Sequence, residues 1–177
     1  MTKCIVFDRD GTLIKYVPYL KDPEQVELLP FVKEAIWAFK NKGYNLFLHT
    51  NQSSISKGLF SIEDVKLCNN RLIELLDLEF DIFNEICIAE DYDDITGYRK
   101  PSTKFGNEIL QKYLINPENL VYIGDSILDI QTGLNLNCNV FGVKTGIDYR
   151  KFDDQFFYNQ FFYNDLLEIM NKIIQDD

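Results

Sequence analysis

The sequence predicts an α/β fold: a parallel sheet with helices on both faces. Two observations carry this expectation. Short apolar runs alternate along the chain with longer segments of helical periodicity. The first run, Cys4–Phe7, is apolar at every position, as a strand buried on both faces would be.

The elements follow in order. Cys4–Phe7 reads as the first strand, and a loop with Pro18, Asp22 and Pro23 follows it. Pro30 suits the first turn of a helix with Val32, Ile36 and Phe39 on its apolar side, and Gly43 sits where a left-handed C′ residue belongs. Residues 44–48 read as a second strand. Ser61 with Asp64 forms a capping-box pattern ahead of Val65, Leu72 and Leu76. Residues 86–89 read as a third strand, and Ser102 is the expected cap of a helix bearing Phe105, Ile109 and Leu110. Residues 119–123 and 140–143 read as the fourth and fifth strands, with a helix over about 128–136 between them. A pentapeptide at 155–159 is repeated at 160–164; it reads as an aromatic edge strand and loop. Asn164 is then expected to cap a last helix through Leu167, Met170 and Ile174.

At 177 residues the chain fits one domain over residues 1–177 with its own core. Hydrophobic residues make up 46 % and charged residues 26 %, and the formal net charge is -10. Such acidity argues against nucleic acid or an anionic membrane surface as partner. Cys4, Cys68, Cys87 and Cys138 are widely spaced and form no CxxC pair, so buried thiols in a reducing compartment are expected. No apolar stretch approaches the length of a membrane span and no leader is apparent, so a cytoplasmic location is expected.

In a parallel α/β sheet ligands bind beyond the carboxyl ends of the strands, so reactive residues should follow the strands. Asp8-Arg9-Asp10-Gly11-Thr12 follows the first: two carboxylates two residues apart, then a glycine that allows a sharp turn. The plain alternative is an Asp- and Gly-rich turn. Thr50-Asn51-Gln52-Ser53 follows the second, offering uncharged donors suited to phosphate oxygens, or simply a polar loop. Arg99-Lys100-Pro101 stands at a helix start, where a cation is unfavourable unless an anion joins it; otherwise Lys100 is a surface lysine. Gly124-Asp125-Ser126, with Asp129 one turn on, follows the fourth strand; Asp125 is a hard-metal ligand or a helix cap.

These motifs, in this order and over nearly the whole chain, resemble the haloacid dehalogenase superfamily, a Rossmann-like fold. Tyr19-Leu20, Asp22-Pro23-Glu24, Leu28-Leu29-Pro30 and Arg99-Lys100-Pro101 are similar to its cap-less branch of heptose bisphosphate and histidinol-phosphate phosphatases. The resemblance implies a Mg²⁺-dependent phosphatase without a large cap domain. It implies Asp8 as nucleophile and Asp10 as acid and base. Thr50 and Lys100 would act on the phosphoryl oxygens, and the Asp8 side chain, Asp10 main-chain carbonyl and Asp125 would hold Mg²⁺. Asn51, Gln52, Ser53, Arg99 and Tyr19 would contact the rest of the substrate.

The chain also departs from that pattern. Many members of the branch carry a Cys/His zinc loop ahead of the Arg-Lys pair, but residues 88–98 contain neither residue, so no zinc is expected. Glu90, Asp91, Asp93 and Asp94 stand there instead, as a solvated acidic loop or as a site for a cation. His49, the one histidine, has no part in this chemistry and is expected to be structural. The favoured substrate is a sugar bisphosphate of the heptose type, with histidinol phosphate as the alternative. A chain of this fold that had become an inactive binding protein would be expected to lack Asp8, Asp10 or Lys100. A monomer or weak homodimer is expected.

Overall fold

The structure, a computed structural model, describes residues 2–78, 81–92, 97–146 and 160–175. Strands β1 (Cys4–Phe7), β2 (Asn45–Asn51), β3 (Glu85–Ala89), β4 (Leu120–Gly124), β5 (Asn139–Val143) and β6 (Phe162–Tyr163) form one sheet in the order β3-β2-β1-β4-β5-β6. Every neighbouring pair is parallel. Helices α1 (Val32–Asn41), α2 (Ile62–Leu76), α3 (Lys104–Lys112), α4 (Ile127–Asn135) and α5 (Leu166–Gln175) cover it, and the described residues include no large cap.

The period of two along each strand divides the interior. Ile5 and Phe7 of β1 join a cluster with Ile36 and Phe39 of α1, Leu72 of α2 and Ile169 of α5. Cys4 and Val6, from the same strand, point the other way and pack with Phe105 and Ile109 of α3 and Ile130 of α4. All four cysteines are free and buried. No described helix is long and apolar enough to cross a membrane.

The capping box of α2 forms as expected, with Ser61 and Asp64 exchanging hydrogen bonds. Helix α1 ends in a Schellman motif: Gly43, at φ +82°, donates its N–H to Lys40, and Tyr44 donates to Phe39. The Tyr44 and Phe39 rings meet edge to face at 5.5 Å, closing that turn with an apolar contact.

Three helix ends differ from expectation. Helix α1 begins at Val32 because Phe31 adopts a left-handed φ of 65°, which excludes it and Pro30 from the first turn. The N-cap of α3 is Thr103; the Ser102 hydroxyl instead donates to the Gly97 carbonyl and accepts from the Lys104 N–H at 3.3 Å. At α5 it is Asp165 that accepts the Glu168 N–H, and the fully buried face is Leu166, Ile169 and Ile173. Leu167, Met170 and Ile174 are only half-buried, one position off the expected stripe. The second pentapeptide supplies β6 at the sheet edge, while the first lies outside the described residues.

Candidate active site

The chain runs from β1 to β2 to β3 on one side, then returns to place β4 on the other side of β1. That reversal opens a crevice between the carboxyl ends of β1 and β4. Phe7 is in register with Leu48 and with Ile123, so Asp8, just beyond β1, arrives level with His49 and with Gly124; β2 runs on past the expected end at 48, and Thr50 and Asn51 are its last two residues. The Asp8 N–H donates to the Ile123 carbonyl at 2.8 Å, extending the ladder by one bond and setting Asp8 beside the turn that carries Asp125.

Lys100 occupies the middle of the crevice with its side chain buried. Its ammonium lies 2.6 Å from Asp8 Oδ1, 2.6 Å from Asp129 Oδ1 and 2.8 Å from the His49 carbonyl, so all three of its protons have acceptors. Burial opposes this charge, but Asp129 and Asp8 together outweigh it and hold the lysine above its usual range. Asp8 is pushed up to about 7, chiefly by burial; Lys100 counters this, and Asp129 and Asp10 add to it.

Asp8, Asp125 and Asp129 are buried, and a carboxylate oxygen from each lies within 4.8 Å of the others. Three carboxylates against one ammonium leave a formal charge of −2, and the donors are all oxygens: a set suited to a hard divalent cation. Gly11 allows the approach. It has φ +85°, and a Cβ there would stand 2.5 Å from Asp125 Oδ2. The third carboxylate is Asp129, which motif reading left as a helix-side neighbour of Asp125.

The Asp10 carboxylate faces elsewhere. Arg9 donates to it from Nε at 3.0 Å and from Nη2 at 3.2 Å to the other oxygen, a bidentate grip. Gln52 Nε2 donates to it at 2.9 Å and the Thr50 hydroxyl at 3.3 Å. Arg9 is wholly buried and is anchored from below by Asn69 of α2 at 2.8 Å. Sequence reading gave no role to Arg9 or Asn69. A signal for Arg9 was available: a guanidinium directly after a buried strand must find acceptors, and Asp10 is adjacent.

The other expected site residues fall into two groups. The Asn51 side chain accepts the Lys100 N–H at 2.9 Å and donates to the Lys100 carbonyl at 3.2 Å, so Asn51 clamps the lysine backbone. Tyr19, 66 % exposed, lies at the rim with Tyr16 and Pro18, over a cleft of about 280 Å³ whose floor is Arg9, Asp10 and Gln52. Ser53 is half-buried on the same turn but does not line the cleft; Ser54 does. Arg99 sits over the Tyr92 ring at 5.5 Å, and Lys57 over the same ring at 5.0 Å. Asp93 and Asp94 lie outside the described residues.

Residues 8–143 match the haloacid dehalogenase-like hydrolase family. The chain is 28 % identical to a D-glycero-alpha-D-manno-heptose-1,7-bisphosphate 7-phosphatase of Campylobacter jejuni, over 99 % of its own length and 98 % of that protein. It is 31 % identical to a D-glycero-beta-D-manno-heptose-1,7-bisphosphate 7-phosphatase of Haemophilus influenzae, covering 82 % of this chain and 84 % of that one. Among solved structures, a D,D-heptose 1,7-bisphosphate phosphatase from B. bronchiseptica, complexed with magnesium and phosphate, superposes with a TM-score of 0.87. That similarity is at 24 % identity and covers 99 % of this chain and 100 % of the other.

Proposed function

The chain belongs to the haloacid dehalogenase-like hydrolase family and its relatives are phosphatases, and we propose that it hydrolyses a phosphomonoester through an aspartyl-phosphate on Asp8, with Mg²⁺ bound. The observation that carries this reading is the buried Lys100 ammonium held between Asp8 and Asp129, with Asp125 beside them, at the switch point of the sheet. A single domain over residues 1–177 is part of this reading, supported by both core clusters of the described residues sharing one sheet.

Asp8 attacks phosphorus, and the bond to the leaving oxygen breaks as the acyl phosphate forms. Asp10, aimed by Arg9, Thr50 and Gln52, gives that oxygen a proton. It then takes one from the water that attacks the acyl phosphate, so inorganic phosphate leaves and Asp8 is restored. Lys100 and Thr50 meet the charge spread over the phosphoryl oxygens. Asp8, Asp125 and Asp129, with the Asp10 carbonyl, would hold Mg²⁺, whose charge would offset repulsion between nucleophile and substrate. No zinc is proposed: residues 88–98 offer no Cys or His, and burial pushes the Cys87 thiol up to about 12.

The direct test is turnover of an aryl phosphate with Mg²⁺, which an inactive binding protein would not give. Stability supplies a second. The folded pKa of Asp8 lies above its unfolded value, so the metal-free protein loses stability as pH rises from about 4 through about 7. Mg²⁺ at 100 times its Kd adds about 2.7 kcal/mol, or roughly 5–10 °C in Tm for a chain of this size. The shift should be larger at pH 8 than at pH 5.5 and vanish in Asp125→Asn. An equal shift in that variant would place the ion elsewhere.

For the substrate we propose a sugar bisphosphate of the heptose type. Lys57 and Arg99, the latter next to Lys100, both lie over the Tyr92 ring, and among the described residues neither has a carboxylate partner. Two such cations in a chain of net charge -10 suit a second anionic group. Arg99→Ala should lower kcat/KM for a heptose bisphosphate by about 1.5–3 kcal/mol while leaving an aryl phosphate within a few fold. Wild-type preference for histidinol phosphate, with little effect of Arg99→Ala, would instead assign Glu90 and Asp91 to the ammonium of an amino alcohol.

A further inference from the structure

His49 is the one histidine in the chain, and it is completely buried. Its place in β2 gives it a geometry that the chemistry above does not use. Along β2 the side chains alternate: Thr50 turns to Asp10, whereas His49 and Asn51 both turn to the segment that delivers Lys100. His49 Nε2 lies 2.8 Å from the Tyr98 carbonyl, two residues ahead of Lys100. Its Nδ1 lies 3.1 Å from the Tyr122 hydroxyl on β4. Its own main-chain carbonyl accepts the Lys100 ammonium at 2.8 Å. The ring is wedged edge-on against Phe105 of α3, with centroids 5.1 Å apart.

These contacts determine the tautomer. A carbonyl oxygen can only accept, so Nε2 carries the hydrogen. Nδ1 then accepts from the Tyr122 hydroxyl, whose own ionisation burial resists strongly. Protonation would put a second cation beside Lys100 in a dry site, and burial first, then Lys100, push the ring down to about 3. A neutral imidazole with one hydrogen-bonding edge toward each neighbour is therefore a rigid strut. It ties β4, through Tyr122, to the loop that ends at Lys100.

We propose that His49 is a positioning residue for Lys100: with Asn51 it holds the 98–100 segment so that the ammonium meets Asp8 and Asp129. His49 fixes the carbonyl two residues upstream, and Asn51 fixes the N–H and C=O of Lys100 itself. Lys100 reaches down from a loop, not a strand, and β2 supplies the order that the loop lacks. The inference rests on the assignment of Lys100 to the phosphoryl site.

Two variants and two readouts test it. His49→Phe keeps a flat ring and removes both hydrogen bonds; His49→Gln keeps an N–H that can reach the Tyr98 carbonyl. With an aryl phosphate and Mg²⁺, kcat should fall at least about 10-fold in His49→Phe with KM within threefold, and His49→Gln should recover most of the loss. In a Lys100→Met background His49→Phe should add nothing, because the two changes disable one device. Equal losses in Phe and Gln variants, or losses that multiply with Lys100→Met, would overturn the proposal in favour of simple packing.

The second readout needs no turnover. In ¹⁵N-labelled wild type, the single histidine should appear as the Nε2–H tautomer. The Lys100 ammonium, protected by three acceptors, should give a signal that broadens in His49→Phe and returns in His49→Gln. A mixed tautomer, or an unchanged lysine signal in His49→Phe, would overturn the proposal whatever the activity. A wild type without phosphatase activity would fail the functional reading, and the spectrum would still decide the strut.

Discussion

In an Asp8→Asn variant, turnover of any phosphomonoester should fall by at least about 10³-fold, as when other covalent nucleophiles are removed. The substitution keeps the side-chain shape. The amide can still face Lys100 and the Thr12 hydroxyl, which lies 3.4 Å from Asp8 in the native site. What it loses is the anion that attacks phosphorus. It also removes one of three neighbouring carboxylates, so both the Mg²⁺ dependence of Tm and the loss of stability between about pH 4 and pH 7 should diminish. Rapid-quench experiments with ³²P-labelled substrate should trap an acid-stable, hydroxylamine-labile phosphoprotein in wild type and none in the variant. Near-normal turnover in Asp8→Asn would remove the central chemical claim.

Lys100→Met should be damaging in two separable ways. It removes a preorganised cation from the place where charge develops on the phosphoryl oxygens, and losing one such group costs about 10²–10³ in kcat. It also leaves Asp8 and Asp129 buried without the ammonium that lies 2.6 Å from each. Breaking a buried ion pair from one side costs about 3–5 kcal/mol. That penalty should be greatest in EDTA at pH 8. It should shrink toward pH 5.5, because Asp8, already raised by burial and now without the cation that opposes this, takes up its proton as the pH falls. Denaturant titrations at both pH values, with and without Mg²⁺, would check this. A variant as stable as wild type at pH 8 in EDTA would mean that the carboxylates do not share one buried site.

How much of this was legible beforehand differs between particular residues. The alternation of strands and helices, the strand at Cys4–Phe7, the capping box at Ser61 and the left-handed Gly43 are set by neighbours within a few positions, so the sequence determined them. The motif residues Asp8, Asp10, Thr50, Lys100 and Asp125 were also legible as a group, since each lies at or just beyond the carboxyl end of a strand or in the loop ahead of a helix, and a parallel sheet sends all such positions to one end. Local signals were weakest at element ends. Phe31 displaced one expected helix start by taking a left-handed φ of 65°, and Thr103 the other, the Ser102 hydroxyl being bonded to the Gly97 carbonyl.

Tertiary structure alone decided the partnerships. The order β3-β2-β1-β4-β5-β6 made β1 and β4 neighbours and so brought Asp8 within reach of Asp125 and Asp129, more than a hundred residues away. It made Asp129 a partner of Lys100 in addition to its bonds to Ser126, set the Asn51 side chain on the Lys100 backbone, and anchored Arg9 on Asn69 beneath Asp10. It also gave His49 its two fixed edges. The physical reason is the same in each case. A buried polar group must find a partner or lose its hydration energy uncompensated, and which partner it finds depends on which strands lie side by side, a matter no local stretch of sequence encodes.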